Sequence, residues 1–274
     1  MIFPQTNKIE YKERKYRNLI EGKDLISFQI KEKESDLFIR TNQELSFYAQ
    51  QMVLNFRGQI ENYINSYPLF KSTLLPYSQD KKAPEIISSM IHAAALCEVG
   101  PMAAVAGAIA EFVGKELLNY SSEVIIENGG DIFIKSNKVR KVSIFAGSSP
   151  FNQKIILKIE SKENYIGICT SSGIVGPSLS FGKADAVTVI SDSVLLADAA
   201  ATTVGNIVKT RKDVEQGLAY AQKIQGVKGA VIIKDDKIGL WGDINFTVVI
   251  YLFSYSSDSI HKGIVSSIAL STFL

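Results

Sequence analysis

Asp198 and Thr202 stand four residues apart in the run Leu196-Ala197-Asp198-Ala199-Ala200-Ala201-Thr202-Thr203. On a helix that spacing stacks the two side chains on one face, and the alanines between them let the face pack closely against a neighbour. A carboxylate in such a place is costly unless something pairs with it. One carboxylate and one hydroxyl suit a hard cation such as Mg2+, whose remaining positions are filled by phosphate oxygens and water. The same residues also read as a surface aspartate beside a threonine bonded back to its own helix. Residue types alone leave these two readings even.

Three further segments carry groups that could meet a ligand. Asn128-Gly129-Gly130-Asp131 lies between two apolar runs, and Asn-Gly at such a place is first of all a hairpin turn. Its two glycines would also admit a ligand close to the backbone, with Asp131 placed to accept a hydrogen bond from it. Val99 to Gly107 opens a helix of very small residues. Small residues usually serve helix packing, but the start of a helix also presents free amides to an anion, here around Gly100, Ala103 and Ala104. Thr170-Ser171-Ser172-Gly173 leaves a strand and continues to Lys183. It is either a polar surface loop or a phosphate cradle of hydroxyls and amides with Lys183 as the charge.

Several chemistries are disfavoured. No GxxxxGK[ST] occurs, so a Walker-type site is excluded. The chain has only His92 and His261, which makes serine-histidine catalysis and histidine-rich zinc poor fits. His92 falls in an apolar helical segment and is expected to be a core residue. Cys97 and Cys169 form no CxxC. Cys169 is expected to be a buried strand thiol, and reduced thiols suit a cytoplasmic protein.

These residues need elements to position them. Residues 24–41 alternate about a Lys-Glu-Lys-Glu-Ser turn and predict a hairpin. Helical spacing runs over 45–67 and over 86–118, the latter interrupted at Val99-Gly100-Pro101. Strands are predicted over 123–127, 131–135, 141–147, 154–160, 165–170 and 185–191. A helix capped by Asp192 or Ser193 follows, then a helix over 212–224 and a hairpin over 229–242 turning at Asp235-Asp236. Elements in blocks favour an α+β fold with mixed or antiparallel sheets and packed helices. Residues 1–245 read as a single domain, or as two lobes over 1–120 and 121–245. The apolar tail over 246–274 is expected to add a strand over 247–253 and to be dispensable.

With 30 basic and 28 acidic side chains the net charge is +2, so no field directs the chain to nucleic acid. No run is long and uncharged enough to span a bilayer, and no secretory leader is visible.

Taken in order, VGPMAAVAGAIAE (99–111), ENGGDIFI (127–134), TSSGIVGPSLSFGKADAVTV (170–189), LADAAATTVGN (196–206) and IGLWGDI (238–244) resemble the signature series of an ApbE-like family of unassigned activity. The resemblance covers roughly residues 11–244. Its better-known relatives split FAD in a Mg2+-dependent reaction and attach FMN to a serine or threonine of a partner protein. The resemblance implies an ApbE-like fold, with Gly129, Gly130 and Asp131 as the GGD segment and Asp198, Ala199 and Thr202 as the metal-binding D-A-x-x-T segment. It also shows a departure. The transferases carry a His-x-Ile-Asp-Pro-type stretch where this chain reads GPSLSFGKADA (176–186), without histidine, so Asp185 becomes the candidate base. The resemblance thus implies Mg2+-dependent binding or cleavage of FAD, FMN or another phosphate-bearing small molecule, with protein flavinylation in doubt. The alternative is a non-catalytic accessory protein in sulfur or cofactor metabolism. A homodimer is left open.

Overall fold

A computed structural model of the chain describes residues 20–173, 182–256 and 259–268. Strands β1 (Ile26–Glu32) and β2 (Ser35–Thr41) close the first hairpin on Lys33 and Glu34. Strands β3 (Val124–Asn128), β4 (Asp131–Ser143), β5 (Ile155–Ser171), β6 (Ala186–Ser191), β7 (Val227–Lys234) and β8 (Lys237–Gly242) follow. Strands β1 to β8 lie in sequence order across one sheet, and every described pair is antiparallel. The expected α+β fold is thus present, with the antiparallel arrangement throughout.

The pairs of strands expected over 131–135 and 141–147, and over 154–160 and 165–170, are instead two long strands. Polar stretches such as Ser136 to Lys138 look like strand ends in one dimension. In the structure they continue a twisted ribbon, with Ser136 opposite Ser161 and Arg140 opposite Ile159, and register shifts between them absorb the irregularity.

The helices are α1 (Ser46–Ser66), α2 (Leu69–Ser72), α3 (Glu85–Leu96), α4 (Val105–Leu117), α5 (Val194–Ile207) and α6 (Val214–Ala221). A tight 3-10 turn over Pro101–Ala104 precedes α4. One core joins these helices to the alternate strand residues Leu37, Ile39, Val124, Ile126, Phe133, Val187 and Val189. A second core, made of Ile125, Ile132, Ile134, Leu157, Ile168 and Val231 among others, contains no helical residue. Helices therefore cover one face of the sheet, and β3 is buried along its whole length because both faces are covered. His92 departs from expectation: it lies on the exposed side of α3, since the core stripe of that helix is Ile86, Ile87, Met90, Ile91, Ala93 and Ala94.

The expected strand over 247–253 is found as β9 (Phe246–Ser256), which pairs with β10 (Ser259–Ile268) and, at residues 246–248, with β5. Phe246 is buried in the second core, and a buried side chain of that size contributes about 1.5–3 kcal/mol. The start of the tail is thus built into the fold rather than appended to it. Among the described residues no single helix is long and apolar enough to cross a membrane.

Candidate functional site

The site forms where the β3–β4 turn, the end of β5 and the starts of α4 and α5 meet. The hairpin turn is Gly129-Gly130, at φ 71 and φ 110, a left-handed pair that glycine adopts without strain. Asn128 donates from Nδ2 to the Ala106 carbonyl at 3.0 Å, tying the turn to the start of α4. Gly130 donates its N–H to Glu127 Oε1 at 3.0 Å and accepts the Thr170 N–H at 3.2 Å. The turn reading of this segment and its placement beside the other candidates are therefore compatible.

Asp131 follows the turn, buried, directly opposite Cys169 in the β4–β5 register. Asp198 projects from α5, and its Oδ2 accepts the Gly107 N–H at 2.9 Å. Gly107 must be glycine here, because a Cβ would lie 2.6 Å from the Val194 carbonyl and 2.9 Å from Asp198 Cβ. On the sheet side, Gly167 of β5 admits α5 in the same way, where a Cβ would lie 2.7 Å from Val194 Cα. Two glycines thus let α5 settle between α4 and the sheet and bring its carboxylate into the cluster.

Electrostatics mark the place. Burial, then the neighbouring Asp198 carboxylate, hold the Asp131 carboxyl well above its ordinary range, with the adjacent Cys169 thiol working the other way. Burial also raises Asp198, against the opposing amides of Gly107 and Ala106. Among the described residues no lysine, arginine or histidine pairs with either acid. Both cysteines adjoin the pair and are fully buried. Burial and the Asp198 charge push the Cys97 thiol up to about 12. Burial, then Asp131 and Asp198, push Cys169 up as well. Neither thiol is a nucleophile in that state.

Thr202 lies one turn beyond Asp198 and, like it, is half-buried, so the hydroxyl and carboxylate share the face that spacing predicted. No group of three or more His, Cys, Asp or Glu side chains capable of holding a metal occurs among the described residues. An all-protein cage is therefore absent among them. A site of one or two carboxylates completed by phosphates and water is the arrangement Mg2+ ordinarily uses, and the uncompensated acid pair fits it.

Ser171, Ser172 and Gly173 are half-buried at the end of β5. Ser171 Oγ sits 3.5 Å from where a Cβ on Gly205 of α5 would be, so the segment runs alongside the metal-candidate helix. The Gly173 N–H is bonded to the Ala184 carbonyl at 3.0 Å. Lys183 is exposed and donates its N–H to the Val208 carbonyl. Residues 174–181 of this loop lie outside the described residues.

The helix-start candidates are placed differently from expectation. Gly100 packs under Thr73 and Leu74, where a Cβ would lie 2.0 Å from the Thr73 carbonyl. The Ala103 N–H is bonded to the Gly100 carbonyl at 3.0 Å, and Ala104 is buried in the core. The α-helix starts a turn later, at Val105, and the amides that act on the cluster are those of Ala106 and Gly107, the latter at 2.9 Å from Asp198 Oδ2. Asp185 is also engaged elsewhere: its Oδ2 accepts the Asp235 N–H of the β7–β8 turn and lies 3.9 Å from Lys234 Nζ.

The fold defines the class. The flavin transferase ApbE of Vibrio cholerae, in a mutant form, superposes with a TM-score of 0.55 over 79% of this chain and 96% of that one, at 14% identity. The apo flavinyl transferase ApbE of Pseudomonas stutzeri does so at 0.51 over 79% and 93%, at 16% identity. The architecture is thus that of the ApbE flavin transferases. At the level of sequence, a family model described as AbpE bacteria matches residues 17–240, and the chain belongs to that ApbE-like family. A UPF0280 protein of Methanosarcina acetivorans is 40% identical over 198 residues, covering 72% of this chain and 78% of its own length. Another from Methanothrix thermoacetophila is 40% identical over 208 residues, covering 75% and 87%.

Proposed function

We propose that this chain binds a flavin nucleotide, or a small molecule with a similar pyrophosphate, together with Mg2+ at the junction of α4, α5 and the β3–β4 turn. The observation that carries the reading is the convergence of Asp131 and Asp198 with no cationic partner among the described residues, beside half-buried Thr202. Asp198 and Thr202 would hold the cation. A bound Mg2+ would neutralise charge on pyrophosphate oxygens and make cleavage of that linkage easier. Glycine at 129 and 130 leaves room for the ligand at the turn, and Ser171 and Ser172 offer hydroxyls along α5. Asp131 would orient substrate through hydrogen bonding. Two unpaired thiols fit a cytoplasmic setting.

Transfer to a protein hydroxyl would need in addition a base, a contribution of about 10²–10⁴-fold. The one sequence candidate, Asp185, accepts the turn amide of Asp235, which reads as a structural anchor. The expected behaviour is therefore binding with slow or no protein flavinylation. The test is thermal denaturation with FAD and Mg2+ for the wild type and Asp198→Asn. A ligand held only by the native state raises apparent stability by mass action, so the wild type should gain melting temperature with both additions and the variant should not. Equal shifts in both proteins, or none in the wild type, defeat the reading. Release of AMP and FMN in the same mixtures would distinguish an enzyme from a binding protein.

A further inference from the structure

The Gly107 contact to Asp198 has a second pin one turn away. Glu111 lies four residues beyond Gly107 on α4 and is 3% exposed. Its Oε2 accepts the Val194 N–H at 2.6 Å, the Leu195 N–H at 3.4 Å and the Ser193 hydroxyl at 3.1 Å. Val194 in turn lies four residues before Asp198, so 107 and 111 share one face of α4 while 194 and 198 share one face of α5. Glu111 Oε1 is occupied by the Tyr165 hydroxyl at 3.0 Å and by Lys115 Nζ at 2.7 Å. Tyr165 itself stacks on Phe133, with ring centres 4.7 Å apart. The carboxylate is therefore fixed in direction before it meets α5.

Buried charge is costly, and a carboxylate at the first turn of a helix complements the helix dipole and its free amides. Ser193 already caps α5 by accepting the Leu196 N–H at 3.3 Å. Glu111 takes the remaining early amides, and it does so from a different helix. A cap within α5 would stabilise the helix but would not set where it sits. A cap borne by α4 does both.

We propose that Glu111 is a positioning residue that sets the α4–α5 register and so holds Asp198 on the Gly107 amide. The consequence for ligand binding rests on the reading that Asp198 serves the Mg2+ site, whereas the positioning itself does not. The experiment uses the full chain without ligand and follows amide exchange by NMR in wild type, Glu111→Ala and Glu111→Gln. Loss of a hydrogen bond to a charged group is worth about a tenfold change in an opening equilibrium. The Gly107 and Val194 amides should therefore exchange about tenfold faster in Glu111→Ala, beyond any common acceleration of core amides such as Val124. Glu111→Gln, which keeps an acceptor oxygen for Val194, should restore part of the protection. If Glu111→Ala fails to fold, Glu111→Asp, which draws the carboxylate back by one methylene, should show the same selective acceleration. Exchange of Gly107 that tracks the global core in these variants overturns the proposal. A second arm measures the melting shift produced by FAD and Mg2+. Absence of a shift in the wild type would count against the proposed ligand alone, because the Gly107 amide would still report on Glu111.

Discussion

Asp131 and Asp198 can be set against a second group of carboxylates, Asp24 and Glu123, gathered around Arg140. Arg140 is 2% exposed and meets Asp24 Oδ1 at 2.5 Å and Glu123 Oε2 at 2.8 Å. The Arg140 and Lys138 hydrogen bonds hold Asp24 far below its ordinary range. Glu123 is lowered too: burial works upward, but the Ser136 and Arg140 hydrogen bonds prevail. In the other group burial prevails: amides, a thiol and the Glu127 carboxylate act on the pair, and no cation does among the described residues. Glu123 is as deeply buried as Asp131, so burial alone does not make a site. A structural acid is supplied with its counter-charge by the chain. An acid pair lacking one among the described residues is where an external cation would be most stabilising.

The comparison can be broken at several points. Arg140→Ala leaves the buried Glu123 without its cation, while Asp24 keeps Lys138, and is expected to cost about 3–5 kcal/mol, measured as a lower urea midpoint with an unchanged slope. A loss under about 1 kcal/mol would mean that the guanidinium is not what compensates Glu123. Gly107→Ala drives a methyl group into the Val194 carbonyl and is expected to cost about 1–3 kcal/mol, again by urea titration. It should also abolish the response to FAD and Mg2+, while an alanine that is neutral in both assays would refute the tight α4–α5 approach.

The smallest effects are in pH dependence, and they have opposite signs. Asp24 has a lowered folded-state pKa, so it contributes stability above the unfolded carboxylate range that is lost as the pH falls through and below it. Asp198 has a raised one, so in ligand-free protein the folded state is favoured at low pH and loses stability as the pH rises from the ordinary carboxylate range towards neutrality. Asp24→Asn should flatten the acid limb of a stability–pH curve, and Asp198→Asn the limb above it. Matching slopes in the two variants would show that the two groups are not treated differently.

Much of this was readable from local order. The hairpins at Lys33-Glu34, Gly129-Gly130 and Asp235-Asp236, the Ser193 cap and the Asp198–Thr202 face depend on residues within a few positions of one another. The five-block series was legible as a resemblance because it preserves residue types in order, and the family match over residues 17–240 agrees with it. The amide that meets Asp198 was less legible. It belongs to a helix whose first 3-10 turn displaces the α-helical start from Pro101 to Val105, a shift that composition does not encode.

What the sequence determined by itself is therefore most of the elements, though not the continuity of β4 and β5, and the chemical types they carry: an acid and a hydroxyl on one helix, two glycines in a turn, a run of small residues, and no histidine between β5 and β6. Tertiary structure decided which of these meet. The bond from Gly107 to Asp198 spans 91 residues of chain and that from Val194 to Glu111 spans 83. The Asp131–Cys169 pairing depends on the register of two long strands. No periodicity reports such contacts, because they are fixed only when two helices and a sheet pack closely enough that a glycine at 107 and another at 167 become necessary. The same packing sends Asp185 to a turn amide and leaves Asp131 and Asp198 to each other.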